Sequence, residues 1–408
     1  MNLTLICVFY PPLNSSAAVQ VNHLVEELAR QGHYVEVITP DSTIKKSYSF
    51  EKEKNIKIMR FNHGRMTDIS LVKRAINEFL MPFKIIYLIN KNSIKLEKSD
   101  GIIWWSPSIF FTPLIIYLKI KNKCNCYLIL RDIFPKWAKD LQIIKNKIIY
   151  QFFNLFFLMQ CFFSDIIAVQ SEGNRKFIPK KILFKKTNIT VLNNWYSPNS
   201  NNKDCPINLS KTIFKKRKVF VHAGNIGLAQ GFEILMNVAE KLKNNDEIGF
   251  LFIGRGSQFQ KMRNIASEKS ISNVLFYDQI ENKKIMSLYK QCHYGIVILD
   301  RRHKTHNIPG KLLSYLHAGL PVFALVNPKN DLIPFINNKK VGLATSIFEE
   351  DQIMESILKL SNLTNLDLDI NKRCIRIANE YFDTTKIANQ ILNSFKYFLH
   401  LENPLNLP

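Results

Sequence analysis

The residues best suited to chemistry are Pro309, Gly310 and Lys311, which open an amphipathic segment after an apolar run and a polar loop. Proline is favoured at the first position of a helix, so the pattern predicts a helix that begins at Pro309. The first N–H groups of a helix lack intrahelical partners and carry partial positive charge. Together with the Lys311 cation they favour a phosphorylated ligand. An ordinary capped helix beside a solvated basic loop is the alternative.

Glycine-bounded turns follow two further apolar runs in the second half of the chain. Gly224 follows one run, and Arg255 lies between two glycines after the next. Glycine lets a backbone approach a ligand closely, and an arginine pairs well with phosphate. Ligands of parallel sheets bind beyond the carboxyl ends of the strands. We therefore expect both residues to converge with Lys311 on one phosphate site.

The first half of the chain offers two candidate groups. Arg131 and Asp132 follow an apolar run, where a carboxylate beside a guanidinium indicates catalytic or substrate-orienting work. A salt-bridged strand end is the alternative. Asn14, Ser15 and Ser16 lie between the first apolar run and the first amphipathic segment. They are placed to meet a ligand, although an ordinary turn between strand and helix is about equally compatible with them.

The length of the chain and its apolar pattern predict the fold around these residues. With 408 residues the chain is too long for one ordinary core. Short apolar runs alternate with amphipathic segments throughout, which predicts an α/β fold with parallel sheets. The stretch from Asn193 to Lys218 is rich in Asn, Ser, Pro and Lys and favours a linker. We place the domains at residues 1–200 and 201–384.

The net charge of +23 indicates an acidic partner: nucleic acid, an anionic membrane surface or a phosphorylated substrate. Nucleic acid is the least supported of the three, because the sequence has no arginine-rich helix, zinc spacing or aromatic RNA-binding motif. Met1 opens directly into an apolar run without a basic leader, and seven cysteines are scattered singly. Both features predict a cytoplasmic protein.

Two apolar segments raise the question of a membrane. Residues 66–98 mix aromatic side chains with lysines, as an interfacial helix does, but a core-facing helix with a solvated back fits equally well. Ile148 to Phe163 is interrupted by polar residues and falls short of the ~20 apolar residues of a membrane span. We expect it to lie on a domain or bilayer surface.

The order of motifs along the chain resembles that of the family 4 glycosyltransferases of the GT-B fold. The similarity extends from Leu3 to about Ile391. The matching pieces are YPPLNSSAAVQVNHLVEELARQGHYVEVIT, LRDIFP, SDIIAVQSE, VLNNW, VHAGNIGLAQGFEILMNVAEKL, FLFIGRGSQ, NVLFYDQI and HNIPGKLLSYLHAGLPVFA.

The resemblance implies two Rossmann-like domains that face one another across a cleft. The second domain would hold a nucleotide-sugar donor and the first an acceptor, and a last helix at about residues 385–408 would complete the first domain. It also implies a retaining enzyme of hexosyltransferase type. No cofactor or bound metal is expected, because helix starts and basic side chains would balance the diphosphate.

Carried over residue by residue, the resemblance is partial. The family's two glutamates fall on His306 and Ser314, and its diphosphate-clamping arginine and lysine fall on Asn225 and Gln230. The resemblance implies that Asp132, with Arg131, lies near the acceptor hydroxyl and that His306 reaches the donor. The donor-binding residues would be Gly224, Asn225, Arg255, Ile280, Pro309, Gly310, Lys311 and Ser314.

The variant motifs GNIGLAQG, LRDIFPKWA and NIPGKLL resemble a branch of transferases from O-antigen and capsule clusters, several of which transfer L-fucosamine-type sugars. The donor would then be UDP-N-acetyl-L-fucosamine and the acceptor a saccharide on undecaprenyl diphosphate, at the inner membrane. Two alternatives stay open: a UDP-sugar epimerase on the same scaffold, and a non-catalytic nucleotide-sugar-binding protein.

Overall fold

The structure, a computed structural model, describes residues 1–13, 15–65, 69–91, 94–106, 108–179, 187–198, 203–306 and 308–402. The chain divides into two compact units. The first unit comprises Met1–Asn193 and Thr384–Pro408, and the second comprises Asn194–Asp383. The division falls at the start of the predicted linker, and the predicted boundary after residue 200 lies outside the described residues.

The first unit alternates strands and helices along the chain. Its elements, in order, are β1 (Asn2–Ile6), α1 (Ser16–Arg30), β2 (Tyr34–Pro40), β3 (Tyr48–Glu53), β4 (Ile56–Phe61), α2 (Leu71–Asn90), β5 (Gly101–Trp105), α3 (Thr112–Asn122), β6 (Asn125–Leu130), α4 (Lys136–Asp140), α5 (Lys147–Phe163), β7 (Ile166–Val169) and β8 (Asn188–Val191). They form one sheet in the order β3-β4-β2-β1-β5-β6-β7-β8.

The strands of this sheet are parallel except for β3, which pairs antiparallel with β4. Strand β3 is not among the predicted strands, because its residues YSFEKE are mostly polar and exposed, as suits a sheet edge. In contrast, all five residues of the central β5, GIIWW, are buried. A parallel strand covered on both faces is apolar throughout, which explains this composition.

The second unit repeats the scheme. Its elements are β9 (Lys218–Asn225), α6 (Glu233–Lys241), β10 (Ile248–Arg255), α7 (Phe259–Glu268), β11 (Val274–Asp278), α8 (Asn282–Tyr289), β12 (Tyr294–Ile298), α9 (Gly310–His317), β13 (Val322–Leu325), α10 (Leu332–Asn338), β14 (Gly342–Thr345), α11 (Glu350–Leu366) and α12 (Ile370–Tyr381). The sheet is parallel, in the order β11-β10-β9-β12-β13-β14. The prediction of two Rossmann-like domains with parallel sheets is confirmed.

The last helix, α13 (Thr384–Glu402), packs against the first unit. Phe395 is buried and lies against Gly101, where a Cβ atom would come within 2.8 Å of its ring. Gln390 donates a hydrogen bond of 2.7 Å to the carbonyl of Val191 in β8. Helix α13 therefore belongs to the core of the first unit, although almost two hundred residues separate it from β8 in the sequence.

Candidate functional site

The candidate donor site lies at the carboxyl ends of β9, β10 and β12 in the second unit. The strand order reverses between β9 and β12, because the chain builds outward from β9 in one direction and then from β12 in the other. Such a reversal leaves a crevice beyond the strand ends, where ligands of open α/β sheets bind.

Glycines bring the ends of β9 and β10 together at this point. Gly254 pairs with Gly224 in the sheet register, and Arg255 pairs with Asn225. The φ angle of Gly254 is +152°, and a Cβ atom there would lie 1.9 Å from the carbonyl oxygen of Gly224. Only glycine fits this approach. The arrangement leaves the side chains of Arg255 and Asn225 exposed side by side at the edge of the crevice.

Lys311 reaches the same place from the start of α9. Its Nζ lies 2.7 Å from Nε2 of His222, and a Cβ atom on Gly224 would stand 3.5 Å from the same nitrogen. The side chain keeps part of its surface, but the amine is enclosed by protein, and this burial lowers the pKa of Lys311 to about 7. A bound anion would stabilise the charged form of such a buried amine, so the lowered pKa is consistent with an anion-binding site.

Helix α9 is held in position by a second contact on the same face. The hydroxyl of Tyr315, four residues after Lys311, accepts a hydrogen bond of 3.0 Å from the backbone N–H of Ala223. The Tyr315 ring occupies the space above Gly295, where a Cβ atom would come within 2.3 Å of it. Residues four apart share a helix face, so Lys311 and Tyr315 together fix the start of α9 to β9.

Pro309 departs slightly from its predicted place. It is the N-cap of α9 and not its first helical residue, because its ψ angle of 137° is extended while its carbonyl already accepts from Leu312. The backbone N–H groups of Gly310 and Lys311 thus open the helix, where they lack intrahelical partners. The predicted anion-binding start is shifted by one residue.

The loop after β12 contributes a residue pair that the sequence analysis does not identify. Asp300 accepts two hydrogen bonds from the guanidinium of Arg302, of 2.8 and 2.7 Å. Burial raises the pKa of Asp300, but these hydrogen bonds, the hydrogen bond from the Arg302 backbone N–H and the charges of Arg302 and His303 together outweigh it, so the carboxyl pKa lies below its usual value. The Asp300 backbone N–H also bonds to Ala229, which joins this loop to the turn after β9.

His306 and Ser314 are turned toward protein partners. His306 is buried, and its Nδ1 lies 2.9 Å from Asp331 Oδ1 and 3.2 Å from the Asp331 backbone N–H, at the start of α10. Ser314 donates its hydroxyl to the carbonyl of Lys311 at 3.0 Å. Ile280 is partly buried in the loop after β11 and packs against the core.

The remaining predicted residues lie in the first unit. Arg131 and Asp132 follow β6, and the Arg131 guanidinium stands 5.7 Å from the centre of the Trp105 ring. Burial lowers the pKa of Arg131, and the charge of Asp132 opposes this shift. Ser15 is the N-cap of α1 and accepts from the N–H of Ala18 at 3.2 Å, whereas Ser16 is exposed. Asn14 lies outside the described residues.

Among the described residues, no group of three His, Cys, Asp or Glu side chains is placed to hold a metal ion. The basic groups of the candidate site are instead the enclosed Lys311 and the exposed Arg255.

Comparison with known proteins agrees with this description. Residues 207–378 match the family model described as Glycosyl transferases group 1. The chain is 20% identical over 221 residues to the Probable glycosyltransferase WbjE of Pseudomonas aeruginosa, covering 53% of this chain and 54% of that protein. It is 25% identical over 103 residues to the Putative colanic acid biosynthesis glycosyl transferase WcaI of Escherichia coli K12, covering 25% of each. The chain thus spans about half the length of the first of these curated relatives and a quarter of the length of the second.

Solved structures share the fold over almost the whole chain. Sucrose-phosphate synthase from Thermosynechococcus elongatus superposes with a TM-score of 0.74 at 12% identity, covering 98% of this chain and 99% of that one. WaaG, a glycosyltransferase involved in lipopolysaccharide biosynthesis, gives 0.66 at 12% identity, covering 96% and 99%. Anabaena HepE in complex with UDP-glucose gives 0.66 at 12% identity, covering 97% and 100%.

The fold is therefore that of the two-domain GT-B glycosyltransferases. The family match falls within its second unit.

Proposed function

We propose that the protein is a retaining glycosyltransferase that transfers a sugar from a UDP-sugar to a lipid-linked saccharide. The observation that carries the proposal is the enclosed Lys311 amine at the start of α9, beside the glycine-lined ends of β9 and β10. Two further facts support it: the match of residues 207–378 to the glycosyl transferases group 1 model, and a fold shared with a protein described in complex with UDP-glucose.

In this proposal catalysis is mainly electrostatic. Negative charge grows on the departing diphosphate as the bond to the sugar breaks, and preorganised donors lower the barrier by stabilising it. The N–H groups at the start of α9 and the side chains of Lys311 and Arg255 supply those donors without a divalent cation. Asp132 would lie near the acceptor hydroxyl, and His306 near the donor.

The proposed donor and pathway rest on the branch resemblance together with relatives that carry glycosyltransferase and colanic acid names. We propose UDP-N-acetyl-L-fucosamine as donor and a saccharide on undecaprenyl diphosphate as acceptor, in O-antigen or capsule synthesis. Thermal-shift and calorimetric binding to a panel of UDP-, GDP- and dTDP-sugars tests the donor. Stronger binding of GDP- or dTDP-sugars than of every UDP-sugar would refute it.

Activity is tested with the purified full chain, the best-binding UDP-sugar and undecaprenyl diphosphate-linked saccharides. We expect sugar transfer with UDP release, unchanged by EDTA, and a product that keeps the anomeric configuration by NMR. Release of free or epimerised sugar from donor alone would indicate the epimerase. Binding without turnover under every condition would indicate a binding protein.

A lipid-linked acceptor requires the protein to work at a membrane, and the first unit presents a suitable surface. Helices α2 and α5 leave large apolar side chains exposed, and we call these residues the apolar surface: Leu71, Val72, Ile76, Leu80, Phe83, Tyr87, Ile148, Ile149, Phe152, Leu155, Leu158 and Phe162. Leu71 is 68% and Ile148 79% exposed. No helix in the described part of the chain is long and apolar enough to cross a bilayer.

The two helices meet through aromatic side chains. Phe79 of α2 contacts Phe152 and Phe156 of α5, with ring centroids 6.4 and 5.8 Å apart. Basic residues stand at the ends of the same helices, including Lys73 in α2 and Lys147 in α5. Contiguous apolar patches of this extent mark interaction sites, and aromatic side chains bordered by lysines suit an anionic bilayer. We therefore propose that this surface docks the protein on the inner membrane from the cytoplasm.

A further inference from the structure

His222 is a polar residue in the middle of the apolar strand run VFVHAG, and its side chain is fully buried. The ring packs edge-on against Phe232, with centroids 4.6 Å apart. Its two nitrogens contact polar atoms from three directions: Nδ1 lies 3.3 Å from the carbonyl of Ile296, while Nε2 lies 2.7 Å from Lys311 Nζ and 3.4 Å from the carbonyl of Asn225.

These contacts define the protonation of the ring. Burial, followed by the nearby Lys311 charge, holds the pKa of His222 well below its usual value, so the ring is neutral. Each ring nitrogen has a carbonyl nearby, Ile296 at Nδ1 and Asn225 at Nε2, but a neutral ring carries only one hydrogen. We assign that hydrogen to Nδ1, which donates to the nearer carbonyl of Ile296. The unprotonated Nε2 then accepts from the Lys311 ammonium, which is its shortest contact.

We propose that His222 is a positioning residue that holds the Lys311 ammonium against Gly224, in the place where the donor diphosphate arrives. The inference rests on the proposed function, since it names the group that orients the diphosphate-binding lysine of that site. The observation behind it is geometric: a buried imidazole, fixed by a main-chain carbonyl on one side, presents its acceptor to Lys311 on the other.

The alternative is that His222 only fills space in the core. A phenylalanine would fill it at least as well, because the neighbours include Phe232 and an imidazole must be desolvated. The described residues offer Lys311 no carboxylate within 4.0 Å, so His222 is its acceptor in the folded protein. Without His222, the long lysine side chain would sample other rotamers, and its amine would no longer be fixed at the crevice.

The test compares three substitutions in the full-length chain, with the dissociation constant of UDP measured by calorimetry at pH 7. His222→Phe keeps the ring and removes both nitrogens. His222→Asn retains an amide near the position of Nδ1 but has no acceptor at the position of Nε2. His222→Gln places its amide oxygen close to the position of Nε2. His293→Phe is the matched control, since His293 accepts from Val219 at the amino end of the same strand.

We expect UDP to bind at least tenfold more weakly to the Phe and Asn variants, and within about threefold of wild type to the Gln variant and the control. In a Lys311→Met background, His222→Phe should change UDP affinity less than threefold, because the residue acts only through that lysine. A fold control is the far-UV and near-UV circular dichroism of each variant.

Equal loss in the Gln and Phe variants would overturn the inference, as would wild-type affinity in the Phe variant. A loss from His222→Phe that is as large without Lys311 as with it would do the same. If the double variant binds too weakly to measure, the comparison of Gln with Phe decides alone. Failure of the wild-type protein to bind UDP would instead overturn the proposed function.

Discussion

Both units are built on a sheet whose strand order reverses beside the first parallel strand, but they use their surfaces in opposite ways. In the second unit a basic side chain, Lys311, is drawn inward beside glycines at the strand ends. In the first unit Arg131 follows β6 and the helix cap Ser15 precedes α1, and large apolar side chains are turned outward on α2 and α5.

One type of fold can thus bind two kinds of partner, a small charged ligand and an extended apolar surface. A small charged ligand is best bound where backbone N–H groups and an enclosed cation are fixed in advance, which requires glycines and tight packing. An extended apolar partner needs exposed area more than fixed geometry. The following predictions test whether the two units are specialised in this sense.

The largest expected effect is on folding of the second unit. Gly254→Ala places a Cβ atom 1.9 Å from the Gly224 carbonyl at a φ angle of +152°, so we expect a loss of about 3 kcal/mol or more in its free energy of unfolding. Gly32→Ala in the first unit is the control. Its φ angle is +86° with no atom within 4 Å of the added Cβ, so about 1 kcal/mol is expected.

Urea unfolding of both full-length variants, followed by circular dichroism, measures these losses. Equal and mild destabilisation by the two alanines would show that the close approach of β9 and β10 is not required.

The next effect is on ligand binding. Lys311→Met removes a charge-assisted hydrogen bond to the proposed diphosphate, so UDP affinity should fall by about 10- to 100-fold while the melting temperature is kept or raised. Lys290→Met removes an exposed lysine at the end of α8 in the same unit and serves as control. Calorimetric titration with UDP decides. A Lys311→Met variant with wild-type affinity would place the donor elsewhere.

The apolar surface should respond to a charge-neutral change. Phe152→Ser with Ile148→Ser removes two exposed apolar side chains of α5, and we expect binding to vesicles of phosphatidylglycerol and phosphatidylethanolamine to fall about tenfold or more. Leu366→Ser with Leu368→Ser, both 83% exposed on the second unit, is the matched control. Vesicle co-sedimentation measures the result. Equal loss in both double variants would show that exposed apolar area alone, and not this surface, causes the binding.

The smallest effect concerns pH. With the pKa of Lys311 lowered to about 7, binding of a diphosphate above pH 7 takes up a proton, so UDP affinity should weaken about tenfold between pH 7 and 8.5. In the ligand-free protein, folding stability changes in the opposite direction and increases with pH. A lysine with a lowered folded-state pKa adds stability as pH rises from about 7 toward its ordinary value of about 10.4.

Lys311→Met should remove both trends. Calorimetry with UDP and urea unfolding across this range test them, and a pH-independent affinity in the wild-type protein would contradict the proton uptake.

The sequence predicts the parts of this molecule that depend on local pattern. Alternating apolar runs predict the two sheets of mainly parallel strands. Gly224 and Arg255 lie at the predicted strand ends, and Lys311 reaches Gly224 from the start of α9, because parallel strands end at the same edge. Edge strand β3 is missed because its polar residues lack the apolar signal.

Side-chain directions are harder to predict. The Ser314 hydroxyl turns to its own helix, the Asp300–Arg302 pair depends on loop geometry, and the His222 contact joins residues 89 apart in sequence. The one signal for His222 is a histidine within an apolar strand run, which indicates a buried partner without naming it.

The position of α13 has a consequence for synthesis of the protein. The second unit is continuous in sequence, whereas the first is completed only by the helix that begins at Thr384. Domains usually fold as they leave the ribosome, the amino-terminal one first. Here the later-synthesised unit is the first to have all its elements, and Tyr127 and Gly101 stay uncovered until Phe395 has emerged.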